Sequence, residues 1–144
     1  MRLSDIPIMT TDFSDNTTEN HHSATAILYE ISALLQQLLE TGEDGIIDLN
    51  TIPLSPQDYQ YLEDVLSQGE VEATVSTLGL STIFETRFTG VWWIKHFDEN
   101  DQLVTELIEV THIPAILKSA PRDIEDGLTL LQQQIQINGG EHVQ

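Results

Sequence analysis

The chain has no cysteine among its 144 residues. Disulfides, thiolate metal ligands and cysteine nucleophiles are thereby excluded, and with them iron–sulfur ligation and zinc ribbons. Positive charge is nearly as scarce. Five Lys and Arg stand against 24 Asp and Glu, a net charge of -19, and no Lys or Arg lies between Arg2 and Arg87. Nucleic-acid affinity comes from basic side chains neutralising phosphates, so this composition excludes nucleic acid as a partner, and it disfavours anionic membrane surfaces for the same reason. No apolar run approaches the roughly 18 residues of a membrane span, so no membrane insertion is expected. The N-terminus offers only Arg2 and no unbroken apolar segment behind it, so it does not read as a secretory signal and the expected compartment is cytoplasmic. There is no phosphate loop, no GxSxG and no GxGxxG.

What is present is enough for one folded unit. The hydrophobic fraction is 40%, ordinary for a domain of this length. The acidic field would attract a basic partner, with steering that weakens as salt rises, although acidity also serves solubility alone. Residues 1–23 are rich in Thr, Asn, Asp and Ser without periodicity and read as a flexible tail. From residue 24 to about 41, Ile27, Ile31, Leu34, Leu35 and Leu38 recur at helical spacing, with Ser23 a candidate cap and Gly42 a stop. Residues 45–53 are an apolar connector fit for an edge strand. Ser55, Pro56 and Asp58 then compose a helix start, and Tyr59, Leu62, Val65 and Leu66 its buried stripe. Pro121 opens a last helix whose Ile124, Leu128, Leu131 and Ile135 form one stripe, and Gly139-Gly140 is expected to end it, leaving 139–144 as a second tail.

Between the helices lies β-forming sequence. Residues 70–77 alternate, with Val71, Ala73 and Val75 on one face. Residues 81–97 hold both tryptophans and read as one long central strand, with Phe84, Thr86, Phe88, Trp92 and Ile94 on one side. Ile83, Glu85, Arg87, Val91 and Trp93 are then on the other, with a bulge possible at Gly90. After the polar link 98–102, residues 103–113 resume with Val104, Ile108 and Val110. The pattern predicts an α+β fold, a two-layer sandwich in which an antiparallel meander of three to four strands is covered on one face by three helices, all within a single domain of residues 24–138. The uncovered face, with Glu85, Arg87 and Trp93, is then the place to look for function.

Few residues carry chemistry. His96-x-Asp98 and Glu109-x-x-His112 have the right types for metal ligands but supply no third convergent group, and no metal or other cofactor is expected. Glu85 and Arg87 are two apart and simplest as an ion pair, and the tryptophans are simplest as packing. His21-His22 falls at the end of the N-terminal tail.

Three strings, SQGEVEA (67–73), ETRFTGVWWIKH (85–96) and IEVTHIP (108–114), in this order and spacing, resemble the conserved C-terminal region of the HupH/HyaF family of hydrogenase expression proteins. The resemblance runs from about Ile46 through the final helix. It implies a non-catalytic, chaperone-like accessory role in maturing uptake [NiFe] hydrogenase, acting on the iron–sulfur small subunit before export. The partners it implies are that subunit or its basic twin-arginine segment, and other hydrogenase accessory proteins. Glu85, Arg87, Trp93 and Glu109 are the expected partner-binding residues. The alternative is a metal carrier or small enzyme using a Glu/His cluster of Glu85, Glu109, His96 and His112, which requires those side chains to converge. A small-molecule-binding module has no supporting motif.

Overall fold

A computed structural model describes residues 21–143, with side chains as far as residue 139. Most of the expected N-terminal tail lies outside the described residues. The chain divides into two compact units, Met1–His112 and Ile113–Gln144, and each is taken by itself.

The first unit is an α+β assembly on a five-stranded antiparallel sheet. In chain order it contains α1 (His22–Thr41), β1 (Gly45–Asp48), α2 (Pro56–Leu66), β2 (Glu72–Ser76), β3 (Leu80–Glu85), β4 (Val91–Phe97) and β5 (Leu103–Val110), with a single 3-10 turn at Leu49–Thr51. The sheet order is β1-β5-β4-β3-β2, so four strands form a meander and β1 closes its far edge against β5. Five strands replace the three to four expected. The apolar connector does become an edge strand, and the supposed long central strand is two.

That division corrects the reading of residues 81–97. The chain turns back at 86–90, where Gly90 takes φ 88°, a backbone conformation open to glycine at little cost. The Glu85 carboxylate accepts the Gly90 N–H at 3.0 Å, and the Thr86 N–H reaches the Val91 carbonyl at 2.8 Å. Alternation along one strand would put Glu85 and Trp93 on the same side. The hairpin instead pairs Phe84 with Trp93 and Glu85 with Trp92, which moves Trp93 to the opposite face from Glu85.

Helices α1 and α2 cover the face that carries Trp93. Its core joins Val91, Trp93, Ile108, Val110 and Ile47 to Ile27, Ile31 and Leu38 of α1 and Leu62 and Leu66 of α2. On the second face Ile83, Trp92 and Ile94 are also buried, and the Trp92 indole N–H donates to the Thr111 carbonyl at 3.1 Å. The expectation that this face stays partly free therefore fails at its centre. Four consecutive apolar residues, Val91 to Ile94, are the pattern of a strand shielded on both sides.

Local signals hold well elsewhere. The Ser55 hydroxyl caps α2 by accepting the Asp58 N–H, with Pro56 in the first turn. Gly42 ends α1 at φ 78°, its N–H on the Leu38 carbonyl. The start of α1 is earlier than expected, at His22 rather than residue 24, and His21 stacks on Tyr61 at 4.4 Å.

The second unit carries a 3-10 turn at Ala115–Leu117 and α3 (Pro121–Val143). Helix α3 runs through Gly139 and Gly140, the expected stop, because glycine costs a helix interior only about 1 kcal/mol and ends it only where a left-handed cap forms.

Gly79 closes the β2–β3 turn, where an added Cβ would come within 2.0 Å of the Phe97 carbonyl oxygen. Gly79→Ala is expected to destabilise the domain by about 1–3 kcal/mol through forced backbone movement, read as a lower urea midpoint with an unchanged slope. An unchanged midpoint would show that the turn yields without cost.

Candidate functional site

The covered face holds an inward-pointing carboxylate. Glu106 of β5 is 5% exposed and lies in cross-strand register with Lys95. Its Oε2 accepts the Trp93 indole N–H at 2.7 Å and the Tyr59 hydroxyl of α2, and the Lys95 ammonium stands at 3.8 Å. The Lys95 ammonium also sits 5.8 Å from the Trp93 ring centre, over an electron-rich face. Tyr59 meets Trp93 edge to face at 5.7 Å, and Phe84 stacks on the same indole at 6.1 Å. Burial, then the hydrogen bond and negative charge of Glu106, then the charge of Glu63 hold the Tyr59 hydroxyl well above the usual tyrosine range. One carboxylate thus joins two strands to a helix, a placement that is stable because the donors offset its desolvation.

Beyond Tyr59, α2 leads to the β3–β4 turn. The Leu66 carbonyl accepts the Arg87 N–H at 3.0 Å, and the Gly69 N–H donates to the Glu85 carbonyl at 2.7 Å. These bonds seat Phe88 against the two helices. There it closes an apolar cleft of about 310 Å³ with Leu28, Ile31, Ser32, Leu35, Val65 and Leu66. On the other side of the same turn a polar cleft of about 350 Å³ is lined by Gly69, Glu70, Glu85, Thr86, Arg87 and Thr89. The two clefts are joined by consecutive residues, so an apolar socket and an acidic edge with one arginine lie side by side.

The four expected partner-binding residues do not share a face. Glu85 is half-buried at the end of β3 with its carboxylate on Gly90. Arg87 is exposed in the turn with its guanidinium 4.8 Å from the Phe88 ring, rather than paired with Glu85. Trp93 is 1% exposed on the helix-covered side, and Glu109 is buried beside Trp92 on the second face. The turn reversal is the cause. The Glu/His grouping is also spread out. Glu85 and Glu109 flank Trp92 from opposite sides, and His96 is four residues further along β4, about 13 Å away. His96 lies against the Ser81 hydroxyl at 2.7 Å, and His112 is exposed past the end of β5. Among the described residues, no three His, Asp or Glu side chains are grouped as a metal site.

A family model described as the HupH hydrogenase expression protein, C-terminal conserved region, matches residues 22–138. The chain belongs to this family. The hydrogenase expression/formation protein HoxQ of Azotobacter vinelandii is 31% identical over 87 residues, 60% of this chain and 31% of that protein. HupQ of Azotobacter chroococcum mcd 1, named in the same way, is 28% identical over 113 residues, 77% of this chain and 40% of that one. A solved structure of the hydrogenase expression protein HupH from Thiobacillus denitrificans ATCC 25259 is 40% identical with a TM-score of 0.76, covering 78% of this chain and 94% of that chain. Against the curated relatives it matches, the HupH-type chain spans only about a third of their length.

The Glu106 cluster and the paired clefts were not singled out from the sequence. A signal for the first existed: Glu106 interrupts the inward positions of β5 two residues before Ile108, and a charge at an inward position needs partners. The clefts depend on residues 85–89, Phe88 for the apolar one and its neighbours for the polar one, whose positions are legible only once the turn is known.

Removing the carboxylate should expose the cost of those partners. Glu106→Ala is expected to lose roughly 2–4 kcal/mol by leaving buried donors unmet, and Glu106→Gln clearly less, measured by urea denaturation. Equal losses would mean that packing, not hydrogen bonding, is at stake. The raised Tyr59 value has a sign of its own. Its stabilisation is full below the ordinary tyrosine value of about 10 and is lost as pH rises toward the folded value. Tyr59→Phe should flatten this alkaline loss of stability, and identical alkaline profiles for the two proteins would count against the assignment.

Proposed function

We propose that this chain is a non-catalytic, chaperone-like accessory protein in the maturation of uptake [NiFe] hydrogenase, holding a segment of the iron–sulfur small subunit before export. Membership of a family named for hydrogenase expression is the observation that carries this reading. The chemistry of the paired clefts supports it. A basic client segment with an apolar side chain next to its positive charges fits an apolar socket beside Glu70 and Glu85, since charge complementarity speeds encounter and a buried side chain sets residence time. Other hydrogenase accessory proteins are further candidates for the same surface.

In this reading Glu85 and Arg87 contribute at the acidic edge and Phe88 at the socket, while Trp93 and Glu109 act by supporting the sheet from buried positions. The absence of cysteine means that help with a cluster comes through shielding the client, not through thiolate ligation. No helix among the described residues is long and apolar enough to cross a membrane, which fits a cytoplasmic place of action. The metal-carrier alternative has no observation in its favour, because its Glu and His residues are spread over the sheet.

Binding to a synthetic twin-arginine segment of a hydrogenase small subunit tests the proposal. Glu70→Lys should slow association, and the association rate should fall as salt shortens the Debye length to roughly 8 Å. Phe88→Ala should weaken binding about tenfold or more, chiefly through faster dissociation, with the fold intact. Arg87→Ala should weaken the complex while leaving stability nearly unchanged. A salt-insensitive rate together with wild-type affinity in all three variants would sink the surface assignment.

A further inference from the structure

Helix α3 holds the longest uncharged run of an acidic chain. From Gly127 to Gly140 it has no charged residue at all, in a protein of net charge -19. Within its own unit nothing covers its apolar stripe: Ile124, Leu128, Leu131 and Ile135 are each more than half exposed. Their steps of four, three and four are those of alternating a and d positions in a heptad, the pattern that lets two helices pack knobs into holes. An isolated helix of this size is marginal in water without packing, and its run of glutamines adds no charge pairs to hold it.

We propose that α3 is a self-association surface, on which a second copy of this chain pairs its own α3 stripe to stripe. Charge decides between kinds of partner. A basic partner would be met by acidic residues flanking the stripe, as at the β3–β4 turn, and from Gly127 to Gly140 there are none. Two copies of so acidic a chain repel each other, and the uncharged run from Gly127 to Gly140 is where they approach at least cost. A two-fold pairing also presents the same stripe from both sides, as a self-complementary interface requires.

Sedimentation equilibrium of the full chain at roughly 1–500 µM, a range that spans ordinary transient dimers, tests this. The wild-type protein should be a dimer within that range, tightening as salt screens the repulsion, the opposite of the salt response expected for a basic client. Leu128→Glu combined with Leu131→Glu should weaken dimerisation at least about tenfold, while Gln133→Glu, on the outer side of the helix, should leave it unchanged. Tryptophan near-UV circular dichroism, set by Trp92 and Trp93, should be the same in all variants, which separates lost pairing from lost folding. The chain lacks cysteine, so single thiols report contacts cleanly. Leu128→Cys and Leu131→Cys chains, alone or mixed, should cross-link on oxidation, and a mixture of Leu131→Cys with Phe88→Cys should not. A monomer throughout the range, a glutamate pair that dimerises like wild type, or preferred cross-linking to position 88 would each overturn the stripe-to-stripe pairing. Binding of the client segment by the monomeric variant would be untouched, so the two ideas fail separately.

Discussion

Glu106 is the point on which the arrangement of the first unit turns. Its carboxylate takes donors from β4 and α2, and a buried carboxylate with directional partners fixes geometry in a way that apolar packing alone does not. Tyr59 is held to the sheet near the start of α2. The end of α2 then grips the β3–β4 turn through the Leu66 carbonyl and the Arg87 N–H. The turn in turn sets Phe88 against α1 and α2, which makes the apolar socket. A buried hydrogen bond and an exposed cleft are thus joined by one rigid helix, and loosening the first should widen or displace the second.

The elements that were legible in the sequence are those whose signals are local. The cap at Ser55, the stop at Gly42, the alternation of Ala73 and Val75 and the stripes of all three helices each rest on residues a few positions apart. The reading of 81–97 failed because strand-forming residues continue through the turn: Thr86, Phe88 and Thr89 fit a strand as well as a loop. What breaks the strand is Gly90 with the Glu85 side chain behind it, a pairing visible only in three dimensions. Since side-chain facing has a period of two, that one error reassigned Trp93 and with it the expected site. Glu85 and Arg87 keep a place at the proposed surface because both border the turn, whichever way β4 faces.

The three strings that carry the family resemblance map onto this same construction. SQGEVEA carries the chain from the end of α2 past Gly69 into β2, ETRFTGVWWIKH is the turn with β4, and IEVTHIP closes β5. Gly69 illustrates why such a string is restrictive, since a Cβ there would meet the Thr86 carbonyl oxygen at 2.6 Å. The three strings therefore cover the residues that build the turn and seat it on α2.

Charge gives the two proposed associations different physics. At the β3–β4 turn, Glu70 and Glu85 border an apolar socket, so attraction at a distance precedes a contact that excludes water. Along α3 the same chain presents apolar side chains with no charge from Gly127 to Gly140, and there association must overcome a long-range repulsion before short-range packing can hold it. Raising salt weakens the first and strengthens the second. A protein that meets its client through one surface and its own copy through the other would then bind clients best in dilute salt as a weakly paired species, and pair best where client capture is slow. The opposed responses follow from where 24 acidic residues are placed along the chain, not from their number.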